Sequence, residues 1–177
     1  MKTIKLDLQN MFDLQVALDA GIKEKHPENY NSPDYYANKL YALKNEINEA
    51  WNVTNSFKMW SNKYKQPKES FLEEMVDILH FWLSSCLDMG MQDRFKEYEF
   101  RIFEGGNLDN NYLFYRMDKA VNLIIDDEIY TYPENTVEDI MNCFLSVIYL
   151  NGFTWTDVVQ AYSEKNKENI ERQARGY

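Results

Sequence analysis

The feature that most constrains the fold is a long apolar segment after Pro67 that two acidic residues interrupt. Apolar side chains occupy most positions from Phe71 to Leu87, so a helix formed here is apolar nearly all round and is expected at the centre of the fold. Glu74 and Asp77 lie one turn apart within it. A buried carboxylate is unfavourable unless it is paired or protonated. The sequence therefore predicts a central helix whose two carboxylates have a dedicated partner.

Turn-forming residues are sparse along the chain, which favours helices. The 177 residues include 6 Gly and 4 Pro, too few for the many tight turns of sandwiches or propellers. We predict an all-α helical bundle in a single domain, 1–177, with five or six helices. The predicted helices span about 4–20, 33–63, 70–89, 112–127, 136–150 and 154–173, and residues 128–133 fit either a helix end or a short extended piece.

Local capping patterns supply the predicted helix boundaries. Gly21 is expected to end the first helix, and Gly90 the central one. Ser32 followed by Pro33 predicts the start of the second helix. Capping-box spacing predicts three further starts, at Ser70 with Glu73, at Thr136 with Asp139 and at Thr154 with Asp157.

The charge balance argues against some partners. Asp and Glu number 29, Lys and Arg number 19, and the net charge is −10. This sign disfavours general nucleic-acid or anionic-membrane binding, because phosphate contacts need Lys and Arg, and it suits a protein that gathers divalent cations. No apolar run is as long as a membrane span and no signal-peptide core is present, so a cytoplasmic protein with reduced Cys86 and Cys143 is expected.

A second pair of acidic residues precedes the central helix. Glu46 and Glu49 are spaced i, i+3 on a predicted helix, as the two acids of the central helix are, and 24 residues separate the pairs. If the two helices pack antiparallel, four carboxylates converge on an oxygen site that suits Mg²⁺ rather than zinc. The alternative interpretation is that these acids face solvent on amphipathic helices.

Cations and amides form a stripe on the last predicted helix. Lys165, Asn169 and Arg172 are spaced i, i+4, i+7, and Asn166, Asn169 and Gln173 form an adjacent stripe. Two cations beside amides can bind phosphate and sugar groups, which an acidic protein needs in order to admit a nucleotide. The alternative is a solvated helix end whose cations complement the helix dipole.

Motifs in both halves of the chain resemble one protein family. The two acidic pairs, with 24 residues between them, resemble the signature of the all-α NTP pyrophosphatases. Three phrases are similar to the dimeric dUTPases found in phages, some bacteria and kinetoplastids: LDLQNMFDLQVALD at 6–19, EEMVDILHF at 73–81 and KNKENIERQARGY at 165–177.

The resemblance does not extend over the whole chain. It covers about 6–90 and 137–177, so 91–136 is predicted to be a lineage-specific helical insertion within the single domain. One departure occurs after the first acidic pair, where Phe57 stands in place of the Trp of the family phrase. This departure leaves open which aromatic residue contacts the base.

The resemblance implies a Mg²⁺-dependent enzyme that hydrolyses dUTP to dUMP and pyrophosphate, and it implies a homodimer. Glu49 would accept the proton of the attacking water, with Glu46 as the alternative. The implied Mg²⁺ ligands are Glu46, Glu49, Glu74 and Asp77. The implied nucleotide contacts are Gln15 and Trp60 at the base, His80 at the sugar or orienting a ligand, and Lys165, Asn166, Asn169 and Arg172 at the phosphates and sugar. The alternative for His80, a lone histidine among apolar residues, is a hydrogen-bonded residue of the core.

Two alternative functions fit the same motifs. One is a related pyrophosphatase that acts on other NTPs or dNTPs, or on dUDP. The other is a protein whose main role is to bind a regulator, since phage members of the family can be partners of repressor proteins. The candidate surface is an aromatic patch in the insertion beside acidic residues: Phe100, Phe103, Tyr112, Phe114 and Tyr115, with Asp126, Asp127 and Glu128. The alternative is that the insertion only packs on the domain.

Overall fold

A computed structural model describes residues 2–106, 108–126 and 133–176. Most of the ambiguous stretch 128–133 and the predicted contact residues Asp127 and Glu128 lie outside this part of the chain, as does Tyr177 of the C-terminal phrase. Within it the fold is all-α, as predicted, with eight helices and one two-stranded sheet. The elements in chain order are β1 Lys2–Asp7, α1 Gln9–Lys25, α2 Pro27–Tyr30, α3 Tyr35–Val53, α4 Phe71–Asp88, α5 Gln92–Phe95, β2 Glu97–Ile102, α6 Asn110–Ile125, α7 Pro133–Leu150 and α8 Trp155–Ala174.

Helix α4 is the central element of the fold, as the apolar segment predicts. It contacts α1, α3, α7 and α8, and its side chains Met75, Leu79 and Trp82 are buried. The Trp82 indole donates a 2.9 Å hydrogen bond from Nε1 to the Val137 carbonyl, so its one polar atom is satisfied inside the core. The helix ends at Asp88, and Gly90 follows in the left-handed conformation, with φ 68°. The predicted end at Gly90 is confirmed.

The N-terminal prediction was wrong, because the chain begins with a strand and not with a helix at Ile4. Residues 2–7 pair antiparallel with 97–102, so the segment predicted to be a helical insertion also contains a strand. The alternate side chains Leu6 and Leu8 are buried, as the two-residue period of a strand requires. The prediction assigned these apolar residues to a 3.6-residue helical period instead. Helix α1 then runs past Gly21 to Lys25, so that glycine does not end the helix.

Side chains of α7 cover the edge of this sheet that β2 forms. Asn142 Oδ1 accepts a 2.8 Å hydrogen bond from the Arg101 amide, and Ser146 Oγ accepts one of 2.8 Å from the Phe103 amide. An edge strand needs such partners, because unpaired backbone donors invite unwanted pairing. The segment after α4 is therefore bonded into the helical domain.

The predicted aromatic patch of the insertion does not form one surface. Phe100 and Phe114 are fully buried in the core, whereas Tyr112 and Tyr115 are exposed and Phe103 is half-buried. A regulator could therefore contact the two tyrosines but not the two buried phenylalanines. Binding of a repressor, and the lineage-specific origin of 91–136, stay predictions.

The second predicted helix is shorter at both ends. Helix α3 begins at Tyr35, after Asp34, and ends at Val53 instead of Lys63. A series of turns follows, in which Asn55 adopts φ 53° and its Nδ2 donates a 2.8 Å hydrogen bond to the Gln66 carbonyl. Asparagine tolerates this left-handed conformation better than most residues, which explains why the helix stops here.

One of the three predicted capping boxes is present. Thr154 and Asp157 exchange both capping hydrogen bonds at the start of α8. Ser70 precedes α4 without a side-chain cap bond, and Thr136 lies inside α7, which already begins at Pro133. Among the described residues, none of the helices has the length and apolar character required to cross a membrane.

Candidate active site

Three of the four predicted metal ligands come together where α3 packs against α4. Carboxylate oxygens of Glu46, Glu74 and Asp77 lie within 4.8 Å of one another, and all three side chains are half-buried. The i, i+3 spacing places Glu74 and Asp77 on the face of α4 that meets α3. Three oxygen ligands within this distance fit a hard divalent cation such as Mg²⁺.

Glu49, the fourth predicted ligand, lies beside this cluster and not within it. Its side chain is exposed, and its Oε1 accepts a 2.7 Å hydrogen bond from Asn45 Nδ2. Its charge helps to raise the pKa of both Glu46 and Glu74, so it is close enough to act on them.

The cluster is electrostatically unfavourable without a cation. Burial, followed by repulsion from Asp77, Glu49 and Glu74, raises the pKa of Glu46 to about 7. Burial is also the largest cause of the raised pKa values of Glu74 and Asp77. A bound divalent cation would relieve both effects, because it replaces the lost hydration of the carboxylates and neutralises their charges.

Lys165 of α8 supplies a cation at this point. Its Nζ lies 2.9 Å from Asp77 Oδ2 and 2.9 Å from Glu73 Oε1, and its side chain is only 9% exposed. Lys165 was predicted to bind phosphate, whereas Glu73 was predicted to cap α4 and was missed as a site residue. The position of Glu73 next to Glu74 in the sequence could have indicated a site residue. Its ion pair with Lys165 could not be predicted, because Lys165 lies on α8, 92 residues away in sequence.

A hydrogen-bonded group lies next to the acidic cluster. Gln15 Oε1 lies 2.9 Å from His80 Nδ1 and also accepts a 3.1 Å hydrogen bond from the Tyr162 hydroxyl, while Gln15 Nε2 donates one of 2.8 Å to Asp19 Oδ1. The His80 and Tyr162 rings stack with centroids 4.2 Å apart. The two predicted residues Gln15 and His80 are thus directly bonded, and sequence reasoning missed Asp19 and Tyr162.

The protonation state of His80 follows from these contacts. An amide oxygen can only accept, so His80 Nδ1 carries the proton and Nε2 has a lone pair. Nε2 is buried and has no hydrogen-bond partner among the residues that the structure describes. Burial, with a smaller effect of Lys165, lowers the pKa of His80 to about 4, so the ring is neutral at physiological pH. Nε2 is therefore available to accept a hydrogen bond from a ligand.

A cavity of about 410 Å³ joins the acidic cluster to this hydrogen-bonded group. Its volume is within the range of small-molecule sites. The cavity is lined by helices α1, α3, α4 and α8 and by Tyr30: Gln15, Leu18, Asp19, Ile22, Tyr30, Lys39, Glu46, Asp77, His80, Phe81, Ser84, Lys165, Asn169, Arg172 and Gln173.

Two predicted contact residues do not line this cavity. Trp60 lies on the turns after α3 with 79% of its surface exposed. Asn166 is buried in α8 instead of facing the cavity. Phe57, the departure from the family phrase, packs edge-on against Trp51 at 5.7 Å between ring centroids. The chain by itself does not bring an exposed aromatic residue of this segment to the cavity.

The all-α fold, with its carboxylate cluster beside a cavity of small-molecule size, agrees with the class that the motifs predict, the all-α NTP pyrophosphatases. A model of the dUTPase family matches residues 7–177. The chain therefore belongs to the dUTPase family, and the predicted resemblance is confirmed. No curated protein matches the chain significantly.

Glu46→Gln is expected to stabilise the metal-free protein at high pH. The raised pKa of Glu46, about 7 against an ordinary 4.5, means that its stabilising contribution is complete below pH 4.5 and is lost as the pH rises through 7. In EDTA the variant should therefore melt about 2–4 °C higher at pH 8, because ~1 kcal/mol is recovered from a partly solvated group. At pH 5 the increase should be much smaller.

Thermal melts of the wild type and the variant at the two pH values measure this difference. Glu28→Gln, which removes an exposed carboxylate on α2, is the matched control and should change neither melting temperature. An equal effect of Glu46→Gln at pH 5 and pH 8 would contradict the clustering of the three carboxylates.

Proposed function

We propose that the protein hydrolyses dUTP to dUMP and pyrophosphate with the help of Mg²⁺. Family membership supports the nucleotide. The observation that carries the proposal is the carboxylate cluster of Glu46, Glu74 and Asp77 beside a cavity that is also lined by cations, among them Lys165 and Arg172 of α8. Carboxylates suit a divalent cation, and the cations suit the phosphates of the same ligand.

The metal would be held by Glu46, Glu74 and Asp77, with Glu49 beside them. The donor set consists of carboxylate oxygens, which fits Mg²⁺ better than a metal that prefers nitrogen or sulfur. When bound, Mg²⁺ neutralises charge on the phosphate oxygens and lowers the pKa of water.

The proton of the attacking water needs an acceptor on the protein. We assign this role to Glu49, because it lies near the cluster but outside the group of three converging oxygens. Glu46 is the alternative, and its use as a ligand competes with its use as a base. A general base has to lie within hydrogen-bond reach of the water, directly or through one further water.

Residues of α8 would bind the phosphates. Lys165, Asn169 and Arg172 lie on the same face of the helix and line the cavity, as their i, i+4, i+7 spacing predicts. Arg172 also forms a 2.6 Å ion pair with Glu168, one turn earlier, which orients its guanidinium. Charged hydrogen bonds of this type are strong enough to position a triphosphate.

The nucleoside would occupy the other end of the cavity. The amide oxygen of Gln15 is already bonded to His80 and Tyr162, but its Nε2 has a second N–H, beside the one bonded to Asp19, that can donate to the uracil edge. The Nε2 lone pair of His80 can accept a hydrogen bond from the ligand. Trp60 would approach the base only if another copy of the chain presented it. The strong exposure of Met59 and Trp60 is consistent with the homodimer that the family implies.

A nucleotide panel tests this proposal. With Mg²⁺ present, pyrophosphate release should be faster from dUTP than from dTTP, dCTP or UTP at equal concentration, and EDTA should abolish it. Release of phosphate from dUDP is measured in parallel. Equal rates for dUTP, dTTP and dCTP would contradict the dUTPase assignment and favour a pyrophosphatase of broader specificity.

A further inference from the structure

Lys165 lies between the carboxylates and the cavity. A role in phosphate binding alone does not explain this position. Its Nζ lies 2.9 Å from both Asp77 Oδ2 and Glu73 Oε1. A lysine that only bound phosphate would extend into the cavity. Instead, this one neutralises the carboxylates while also lining the cavity.

The position of Lys165 conflicts with a divalent cation at the same carboxylates. Asp77 is both the ion-pair partner of Lys165 and one of the three converging acids. A divalent cation on Asp77 and a lysine ammonium on the same carboxylate repel each other strongly, because only a few ångströms separate them in a half-buried site.

Glu73, the second ion-pair partner of Lys165, can hold the ammonium when a divalent cation occupies Asp77. Glu73 does not belong to the group of three converging carboxylates. Its side chain is 55% exposed, whereas that of Asp77 is 20% exposed, so a shift of the ammonium from Asp77 to Glu73 moves it toward solvent. Glu73 is thus a positioning residue that can keep Lys165 at the edge of the cavity.

We propose that Lys165 is an exchangeable counter-ion, which neutralises the acidic cluster in the metal-free protein and is displaced from Asp77 when a divalent cation binds. Displacement leaves Lys165 with Glu73 as its one carboxylate partner and makes its ammonium available to an anion in the cavity that Lys165 already lines. This inference rests on the proposed function, since it assumes that a divalent cation binds at Glu46, Glu74 and Asp77.

The exchange couples the two ligands of the enzyme. In the metal-free protein the charge of Lys165 is neutralised by Asp77 and Glu73, so the cavity presents less positive charge to a nucleotide. Cation binding releases that charge, and a bound anion in turn stabilises the released state. By linkage, each ligand then improves the binding of the other.

Calorimetric titration of Mg²⁺ into wild type and Lys165→Gln tests the exchange without any turnover. The variant lacks the competing ammonium, so its Mg²⁺ affinity should rise by about tenfold. Lys167→Gln is the matched control, because it removes the same charge from an exposed position on the same helix and should leave the affinity nearly unchanged. Lys165→Arg retains the charge and should bind Mg²⁺ much as the wild type does.

A second measurement follows Lys165 itself. The side-chain ammonium signal of Lys165 in NMR spectra, assigned by its absence from Lys165→Gln, should shift on addition of Mg²⁺ because its Asp77 partner is lost. Circular dichroism in Mg²⁺ verifies that the variants are folded. In EDTA, Lys165→Gln should melt at a lower temperature than the wild type.

The outcomes separate this inference from the proposed function. If the wild type binds Mg²⁺ but Lys165→Gln binds it equally or more weakly, the exchange is wrong while the metal site stands. An ammonium signal that does not move with Mg²⁺ also overturns the exchange. If the wild type binds no Mg²⁺ at millimolar concentration, both the exchange and the metal-dependent function are wrong.

Discussion

Glu74→Gln is expected to abolish pyrophosphate release from dUTP, with a loss of at least about a hundredfold, because it removes a charged ligand from the proposed metal site. Its carboxyl oxygen is one of the three that converge within 4.8 Å. Glutamine has nearly the same shape but carries no charge and binds Mg²⁺ far more weakly. The measurement is steady-state pyrophosphate release at saturating Mg²⁺.

The same substitution should not unfold the protein. Burial, followed by repulsion from Glu49, Asp77 and Glu73, raises the pKa of Glu74, so its charged form is unfavourable in the metal-free fold. A neutral glutamine should therefore leave the melting temperature in EDTA equal to or above that of the wild type. It should also remove part of the stabilisation that Mg²⁺ gives the wild type.

Glu69→Gln is the matched control for this experiment. Glu69 is an exposed carboxylate just before α4, five residues from Glu74, and it does not belong to the converging group. Its substitution should leave both turnover and metal-induced stabilisation intact. Wild-type activity in Glu74→Gln would exclude Glu74 from the site and favour the alternative in which these acids only face solvent.

The carboxylate cluster could be predicted because most of it depends on local geometry. Glu74 and Asp77 share a helix face through the 3.6-residue period, and the apolar residues around them determine which face is buried. The same reasoning predicts the stripe of Lys165, Asn169 and Arg172. The resemblance to the dUTPase family then implied metal binding by the carboxylates and phosphate binding by the stripe on α8.

The contacts that the sequence did not reveal are those between distant segments. The ion pair of Lys165 with Glu73 spans 92 residues, and the bond of Gln15 to His80 spans 65. Strand β1 was mistaken for helix because its partner lies about 95 residues further along the chain. Local propensity cannot supply such pairings, since tertiary packing decides them.

Truncation after Asn166 is expected to abolish activity while leaving most of the fold intact. The buried residues of α8 are Val158, Tyr162, Lys165 and Asn166, and all four remain. The truncation removes Asn169, Arg172 and Gln173, which line the cavity, together with mainly exposed residues. Function and stability should therefore respond very differently to the same change.

The expected loss of kcat/KM for dUTP is at least about a hundredfold, because two charged or polar phosphate contacts disappear together. Arg172→Ala alone should cost about 1.5–3 kcal/mol of binding, which appears mainly as a higher KM. The melting temperature of the truncated protein should fall by about 2–4 °C, the effect of roughly 1 kcal/mol in a domain of this size.

Arg175→Ala is the control for the general loss of positive charge near the C-terminus. Arg175 pairs with Glu171 at 3.3 Å on the exposed surface, and it does not line the cavity. Its substitution should change KM little, since exposed ion pairs contribute little energy and are screened by salt. If the truncated protein hydrolyses dUTP at the wild-type rate, Asn169 and Arg172 do not bind the phosphates, and Lys165 is the one proposed α8 contact that this result leaves standing.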